Sequence, residues 1–337
     1  MKKDSLPIRP TQARGFTLLE LMVAMSITVI LLGIVTYLTS MSMDTYKKSR
    51  DQVRSARQAK EALDAIGKDF QSMVLRKDGN DFEWLHAEVE PELVGDTAAN
   101  ITLAGPANKK ITNACRVIFF AGAADRYGGD ASGGSGDVSA VSYRLVYRDQ
   151  ISDIDPDADG AHPVFTLYRQ IIDPDETFLG REINPGPPPT YDATKALLGV
   201  PNLKVAYESG GVASHESDSS NAENVLVENV YELTMTFIVE YTDTSGATPV
   251  TRLERVTIGQ TANSQYSSFR IKGNEIVAVG GANAALLDDG QLVGVEISIT
   301  VLSDQGLVLA QKSGIPRGEI IEEYGYHFTK TINVPRL

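Results

Sequence analysis

Glu20 is the only charged residue in the run Phe16 to Thr39, FTLLELMVAMSITVILLGIVTYLT. A carboxylate in such a run costs about 2.5 to 3.5 kcal/mol even on lenient insertion scales, so it demands a cation or a proton. The intact chain has no nearby cation on the same helix face. Cleavage between Gly15 and Phe16 would create an α-amino group four residues before Glu20, and residues i and i+4 share a helix face. That amine could neutralise the carboxylate of its own chain, or the Glu20 of an adjacent copy staggered along a bundle. The second arrangement propagates itself.

A second constellation is Asp153-Ile154-Asp155-Pro156-Asp157-Ala158-Asp159-Gly160. The spacing of Asp155, Asp157, Asp159 and Gly160 places alternate carboxylates on one side of a tight loop, as in the first half of an EF-hand loop. The second half departs from that pattern: position 12 is Thr166 rather than a bidentate Glu, and no helix flanks it. The reading is either a calcium site completed by Asp149, Asp153 or a backbone carbonyl, or an acidic hairpin loop. No other cofactor is expected.

Enzyme chemistry finds little support. His86, His162, His215 and His327 are scattered, and the chain has no H-E-x-x-H, no Walker loop and no G-x-S-x-G. Gly133-Gly134-Ser135-Gly136 lacks a strand-to-helix context and reads as a linker. Cys115, the single cysteine, precedes the apolar run Val117 to Phe120 and reads as a buried thiol. One cysteine excludes any intramolecular disulfide and any cysteine-based zinc or iron–sulfur site within one chain.

The elements that position these residues follow from length and pattern. A 24-residue apolar helix rises roughly 36 Å at ~1.5 Å per residue, enough to span a lipid bilayer core of ~30 Å. Residues 1–15 carry Lys2, Lys3, Arg9 and Arg14 against Asp4, with Pro7 and Pro10, and form a basic leader rather than a helix. A secretory signal peptide shares this layout, but the apolar run is longer than a signal core and Ser40-Met41-Ser42 makes a poor cleavage site. Beyond the span, residues 40–78 turn amphipathic: Ala56, Ala59, Leu63, Ile66, Phe70 and Met73 recur at helical spacing. Lys77, Asp78 and Gly79 read as the helix end, so one long helix is expected from Phe16 to about Arg76. Only about two to three heptads are sustained, which favours packing on the chain's own body over a coiled coil.

The octet Arg14-Gly15-Phe16-Thr17-Leu18-Leu19-Glu20-Leu21, followed by the apolar run, resembles the cleavage and methylation motif of the prepilin superfamily, the type IV pilins and the pseudopilins of type II secretion. The resemblance implies cleavage after Gly15 by a prepilin peptidase, N-methylation of Phe16, and use of Glu20 in registering subunits of a helical filament. It also implies other prepilin-type subunits and an inner-membrane assembly platform as partners, with a cytoplasmic leader, a single-pass inner-membrane helix and a periplasmic body. Loop charge alone leaves the orientation open, because Lys47, Lys48, Arg50, Arg54 and Arg57 follow the span as closely as the leader cations precede it. Many major pilins have a proline within the helix; here Tyr37 stands near that point and Gly33 is the only weak spot.

Residues 79–337 read as a β-rich body. Strands are expected at Cys115–Ala121, Val138–Arg148, Val164–Ile172, Asn202–Tyr207, Val225–Tyr241, Val250–Ile258, Ser268–Val279, Leu292–Leu302 and near Tyr326–Asn333. Long loops are expected at 126–137, 184–190 and 209–224; the Pro-rich segment 184–190 either divides the body into two lobes or interrupts one sheet system. The strands Val141–Leu145, Phe165–Arg169 and Val225–Tyr241 are similar to strands of J-type minor pseudopilins and of the Verru_Chthon cassette family, whose relatives include calcium-binding pseudopilins.

The expected fold is therefore α+β, a long N-terminal transmembrane and amphipathic helix packed on a mostly antiparallel β-rich body. The whole chain carries a net charge of -13, and removal of residues 1–15 leaves 27 Lys+Arg against 43 Asp+Glu, or -16. Such an acidic body excludes a duplex nucleic-acid partner that needs a basic face. The expected role is a structural minor pilin or pseudopilin subunit, with a surface-displayed adhesin or binding module exported by the pilin route as the alternative.

Overall fold

The computed structural model describes residues 17–76, 81–90, 114–122, 137–148, 164–184, 190–209, 215–216, 221–244, 248–259, 266–311 and 317–334. The chain divides into two compact units, Met1–Asp51 and Gln52–Leu337. In the described part of the first unit the chain is helical from Leu18 onward, and every residue from Thr17 to Arg50 is exposed. These residues belong to helix α1, Leu18–Gln71.

In the second unit, the later turns of α1 bury Ala59, Leu63, Ile66 and Phe70 of the face expected from the 3-and-4 spacing, and with them Ser55, Ala62, Gly67 and Asp69. The helix stops at Gln71, five residues short of Arg76. Two alternatives compete with a further turn: Val74 donates its N–H to Phe120 O, and Met73 bridges to Ala121. Met73 stays buried in this extended conformation, so leaving the helix gives up none of its apolar burial.

The body contains thirteen strands among the described residues, and every pair of named strands is antiparallel. Strands β1 (Glu83–Val89), β2 (Cys115–Ala121), β3 (Ser139–Arg148) and β4 (Val164–Ile172) form a meander. With β7 (Val225–Glu228), β10 (Tyr266–Lys272) and β11 (Glu275–Gly280) they complete a seven-stranded sheet in the order β11-β10-β1-β2-β3-β4-β7. A four-stranded sheet has the order β13-β12-β8-β9, from β8 (Val230–Asp243), β9 (Val250–Ile258), β12 (Gln291–Leu302) and β13 (Gly325–Asn333). A small hairpin joins β5 (Arg181–Asn184) to β6 (Thr190–Asp192). The large sheet thus takes strands from both sides of segment 184–190, which makes one sheet system of the two halves. Residues 185–189 themselves lie outside the described residues.

One face of the large sheet packs on α1 and on the small sheet. Phe70 stacks on Phe119 with ring centroids 4.4 Å apart, Phe237 stacks on Phe269 at 4.3 Å, and Phe165 meets Tyr231 edge-on at 5.0 Å. β2 is buried at every position because its other face is covered too, and such a strand reads as a continuous apolar run.

Several expected strands differ in the structure. Asn202–Tyr207 is a helix, α3 (Leu203–Glu208): the Asn202 side chain accepts from Val205 N as an N-cap, and Leu203, Ala206 and Tyr207 are buried at helical spacing. The run Val225–Tyr241 is two strands in different sheets, broken at Asn229, which takes a left-handed φ of 63°. Ser268–Val279 is a hairpin that turns at Gly273 (φ 56°) and Asn274. The remaining short helices are α2 (Pro174–Leu179), α4 (Asp304–Gln311) and α5 (Arg317–Tyr324).

Candidate functional site

Helix α1 starts at a reciprocal cap. Thr17 is the N-cap: its carbonyl accepts the first helical bond, from Leu21 N at 3.2 Å. Its hydroxyl accepts from Glu20 N at 3.2 Å. Glu20 reaches back, and its Oε2 accepts both from Thr17 N at 2.9 Å and from the Thr17 hydroxyl at 3.1 Å. This T-x-x-E arrangement satisfies two amide groups that a helix start otherwise leaves without partners. Both bonds end on Oε2, and Oε1 has no hydrogen-bond partner among the described residues. The T-x-x-E spacing was present in the sequence as a capping signal, but Thr17 was not singled out there as a site residue.

From Leu18 to Tyr46 the helix presents its apolar side chains on all sides, and it is long and apolar enough to cross a membrane. Its hydroxyl groups do not conflict with that use. Ser26, Thr28, Thr36, Thr39, Ser42 and Thr45 each donate to the carbonyl four residues earlier, at 2.8 Å. A hydroxyl bonded within its own helix needs no water, which is the condition lipid imposes.

Within the second unit, α1 is joined to the body by charge as well as by its apolar face. Asp69, 2% exposed, accepts two bonds from the Arg169 guanidinium, at 2.8 and 2.7 Å, and one from the Tyr143 hydroxyl. Burial and the neighbouring Asp69 carboxylate push the Tyr143 hydroxyl well above its ordinary pKa, so it remains a donor. Lys330 of β13 pairs with Asp64 at 2.7 Å, and Arg54 pairs with Asp304 at the start of α4 at 2.6 Å. These last two pairs are solvent-exposed, so water screens them and they add little to the anchoring of the helix.

Of the sequence-expected site residues, Glu20 lies at the exposed helix start, whereas Gly15 and Phe16 lie outside the described residues. So do Asp155, Asp157 and Asp159, on which the calcium expectation rests. Among the described residues no group of three or more His, Cys, Asp or Glu side chains is placed to hold a metal ion.

Comparison with known families adds the deciding observation. Residues 11–36 match the prokaryotic N-terminal methylation motif. The chain carries a prepilin-type N-terminal signal. The match takes in Gly15, Phe16 and Glu20 together with most of the apolar run. No curated protein and no solved structure matches the chain significantly.

Proposed function

We propose that the chain is a minor pilin or pseudopilin, a structural subunit of a type IV pilus or a type II secretion pseudopilus. In this reading the precursor is cleaved after Gly15 and N-methylated at Phe16. The apolar helix holds the subunit in the inner membrane with the β-rich body in the periplasm until an assembly platform adds it to a filament.

The observation that carries the reading is the state of Glu20. Its backbone and one carboxylate oxygen are fixed by Thr17, while Oε1 has no hydrogen-bond partner among the described residues, on a helix whose apolar surface is open all round. Cleavage after Gly15 leaves the Phe16–Thr17 amide intact, so the cap persists in the processed chain, and the new amine lies one residue before it. Oε1 is then the oxygen free to meet the amine of a neighbouring subunit, a charge pair that satisfies a carboxylate otherwise costly in lipid.

Glu20→Ala tests this assignment. Removal of the leader, read by mass spectrometry, should proceed as in the wild type, while incorporation into filaments, read by cross-linking to other prepilin-type subunits, should fall sharply. Wild-type incorporation of the variant would refute the registration role.

A further inference from the structure

The face of the large sheet turned away from α1 carries a buried cluster of charges beneath α3. β1 and the residue after it supply Glu83, His86, Glu88 and Glu90; β2, β3 and β10 supply Arg116, Arg144 and Arg270; α3 supplies Lys204 and Glu208, and Glu216 follows. Arg116, with its side chain 4% exposed, pairs with Glu88 and Glu208 and lies 2.7 Å from Glu216. Arg144 lies 3.2 Å from both Glu90 and Glu216. Five carboxylates in this cluster meet four permanent cations, Arg116, Arg144, Lys204 and Arg270.

His86 stands at the point of imbalance. Its Nδ1 is 2.9 Å from Glu83 Oε1 and its Nε2 is 3.4 Å from Glu88 Oε2. A neutral imidazole has one N–H and one lone pair, so it would turn the lone pair on a carboxylate. Only the imidazolium gives Glu83 an N–H and also turns positive charge toward Glu88, whose Oε2 lies near Nε2 without a hydrogen bond. The same two carboxylates hold α3: Glu83 Oε2 accepts the backbone N–H of Leu203 at 2.7 Å, and Glu88 Oε2 accepts from Lys204 Nζ at 2.7 Å.

We propose that His86 is a pH-sensitive latch, docking α3 on the large sheet while protonated and loosening it on losing the proton. The proposal stands apart from the prepilin-type reading and does not depend on it. The charged groups around His86 are Glu83 and Glu88 on its own strand, Arg270 directly opposite on β10, Arg116 on β2, and Lys204 and Glu208 on α3. On the β2 side the residue directly opposite is the apolar Ile118. Burial by itself lowers the imidazole pKa, but the bond to Glu83 and the neighbouring Glu88 carboxylate outweigh it and the net shift is upward. With a raised pKa in the docked state, the stabilisation is complete below the undocked pKa of about 6.5 and disappears as pH rises through the docked value. Glu90 is a second titratable group in the cluster: its pKa is raised by burial against the pull of Arg144 and Arg116.

Hydrogen exchange of the full chain in detergent micelles, from about pH 5.5 to about pH 9 and corrected for intrinsic exchange, reads the latch directly, with β12 as internal reference. Protection of the α3 amides should fall by up to about tenfold per pH unit above about pH 6.5, since one proton is released, and then level off. His86→Gln should make the profile flat. Glu208→Gln, which removes one carboxylate at the partly exposed edge, should keep α3 docked with a shallower slope. Glu90→Gln should leave the slope unchanged. A flat wild-type profile, an unchanged slope in His86→Gln, or a slope abolished only by Glu90→Gln overturns the proposal. If His86→Gln fails to fold, as loss of β12 protection would show, Glu208→Gln decides: a wild-type slope there overturns the proposal, and a reduced one supports it.

Discussion

Removing the Asp69 carboxylate should uncouple α1 from the body, and the structure sets the size of the effect. Asp69 is almost fully buried and is shared by Arg169 and Tyr143. Breaking a buried ion pair by deleting one partner costs about 3 to 5 kcal/mol, chiefly through the charge left behind. The Arg169 side chain keeps 26% of its exposure, so its guanidinium can still reach water and the lower end applies. The Tyr143 hydroxyl has no such escape and loses its acceptor, worth about 1 to 3 kcal/mol. Since these penalties overlap, Asp69→Ala should destabilise the second unit by about 3 to 4 kcal/mol. Asp69→Asn keeps an acceptor for Tyr143 and should cost roughly half as much. Trp84, the only tryptophan in the chain, is buried and sits edge-on to Phe120, so its fluorescence follows urea unfolding of the body. A double-mutant cycle with Arg169→Met should return a coupling of at least about 1 kcal/mol. An Asp69→Ala variant within about 0.5 kcal/mol of the wild type, or an additive cycle, would refute the clamp.

Two further predictions use the same preparation. Gly67 lets β13 approach α1 closely: an added Cβ would lie 3.1 Å from Lys330 Nζ and 3.3 Å from Ile332 Cδ1. Both are ends of flexible side chains, so Gly67→Ala should be near neutral in urea unfolding, its steric cost offset by about 1 kcal/mol of helix propensity, while Gly67→Leu should cost about 1 to 3 kcal/mol. The Cys115 thiol is fully buried and burial pushes its pKa up, so a thiol reagent at neutral pH should label it only as fast as the body opens, and labelling at the rate of a free thiol would contradict that placement.

The parts of this fold that were legible in the sequence are those where burial covers whole elements. Cys115–Ala121 and Val164–Ile172 are strands with the expected bounds, and the apolar face from Ala59 to Phe70 packs as its spacing implies; Val250–Ile258 also keeps its expected bounds, although of its residues only Val256 and Ile258 are buried. Strand β1 escaped notice because Glu83, His86 and Glu88 look like a solvated face. Glu83 and His86 are buried and Glu88 is half-buried, and the cations that pair with these groups come from β2, β10 and α3, far away in sequence. The helix α3 was misread because a six-residue apolar stretch fits either period, and the Asn202 cap was the signal that separates them. The Asp69 clamp could not be read at all, since its partners lie 74 and 100 residues away. At the amino terminus the reverse holds: the site is local, so Glu20, its apolar surroundings and its relation to the Gly15–Phe16 bond were all visible in one octet.

Mass spectrometry of the amino terminus, after expression in a cell that contains a prepilin peptidase, decides whether this chain is a processed prepilin-type subunit. The mature chain should begin with N-methylated Phe16 and retain the whole of the apolar helix. An intact Met1, or a first residue near Ser42 with the apolar helix gone, would contradict it.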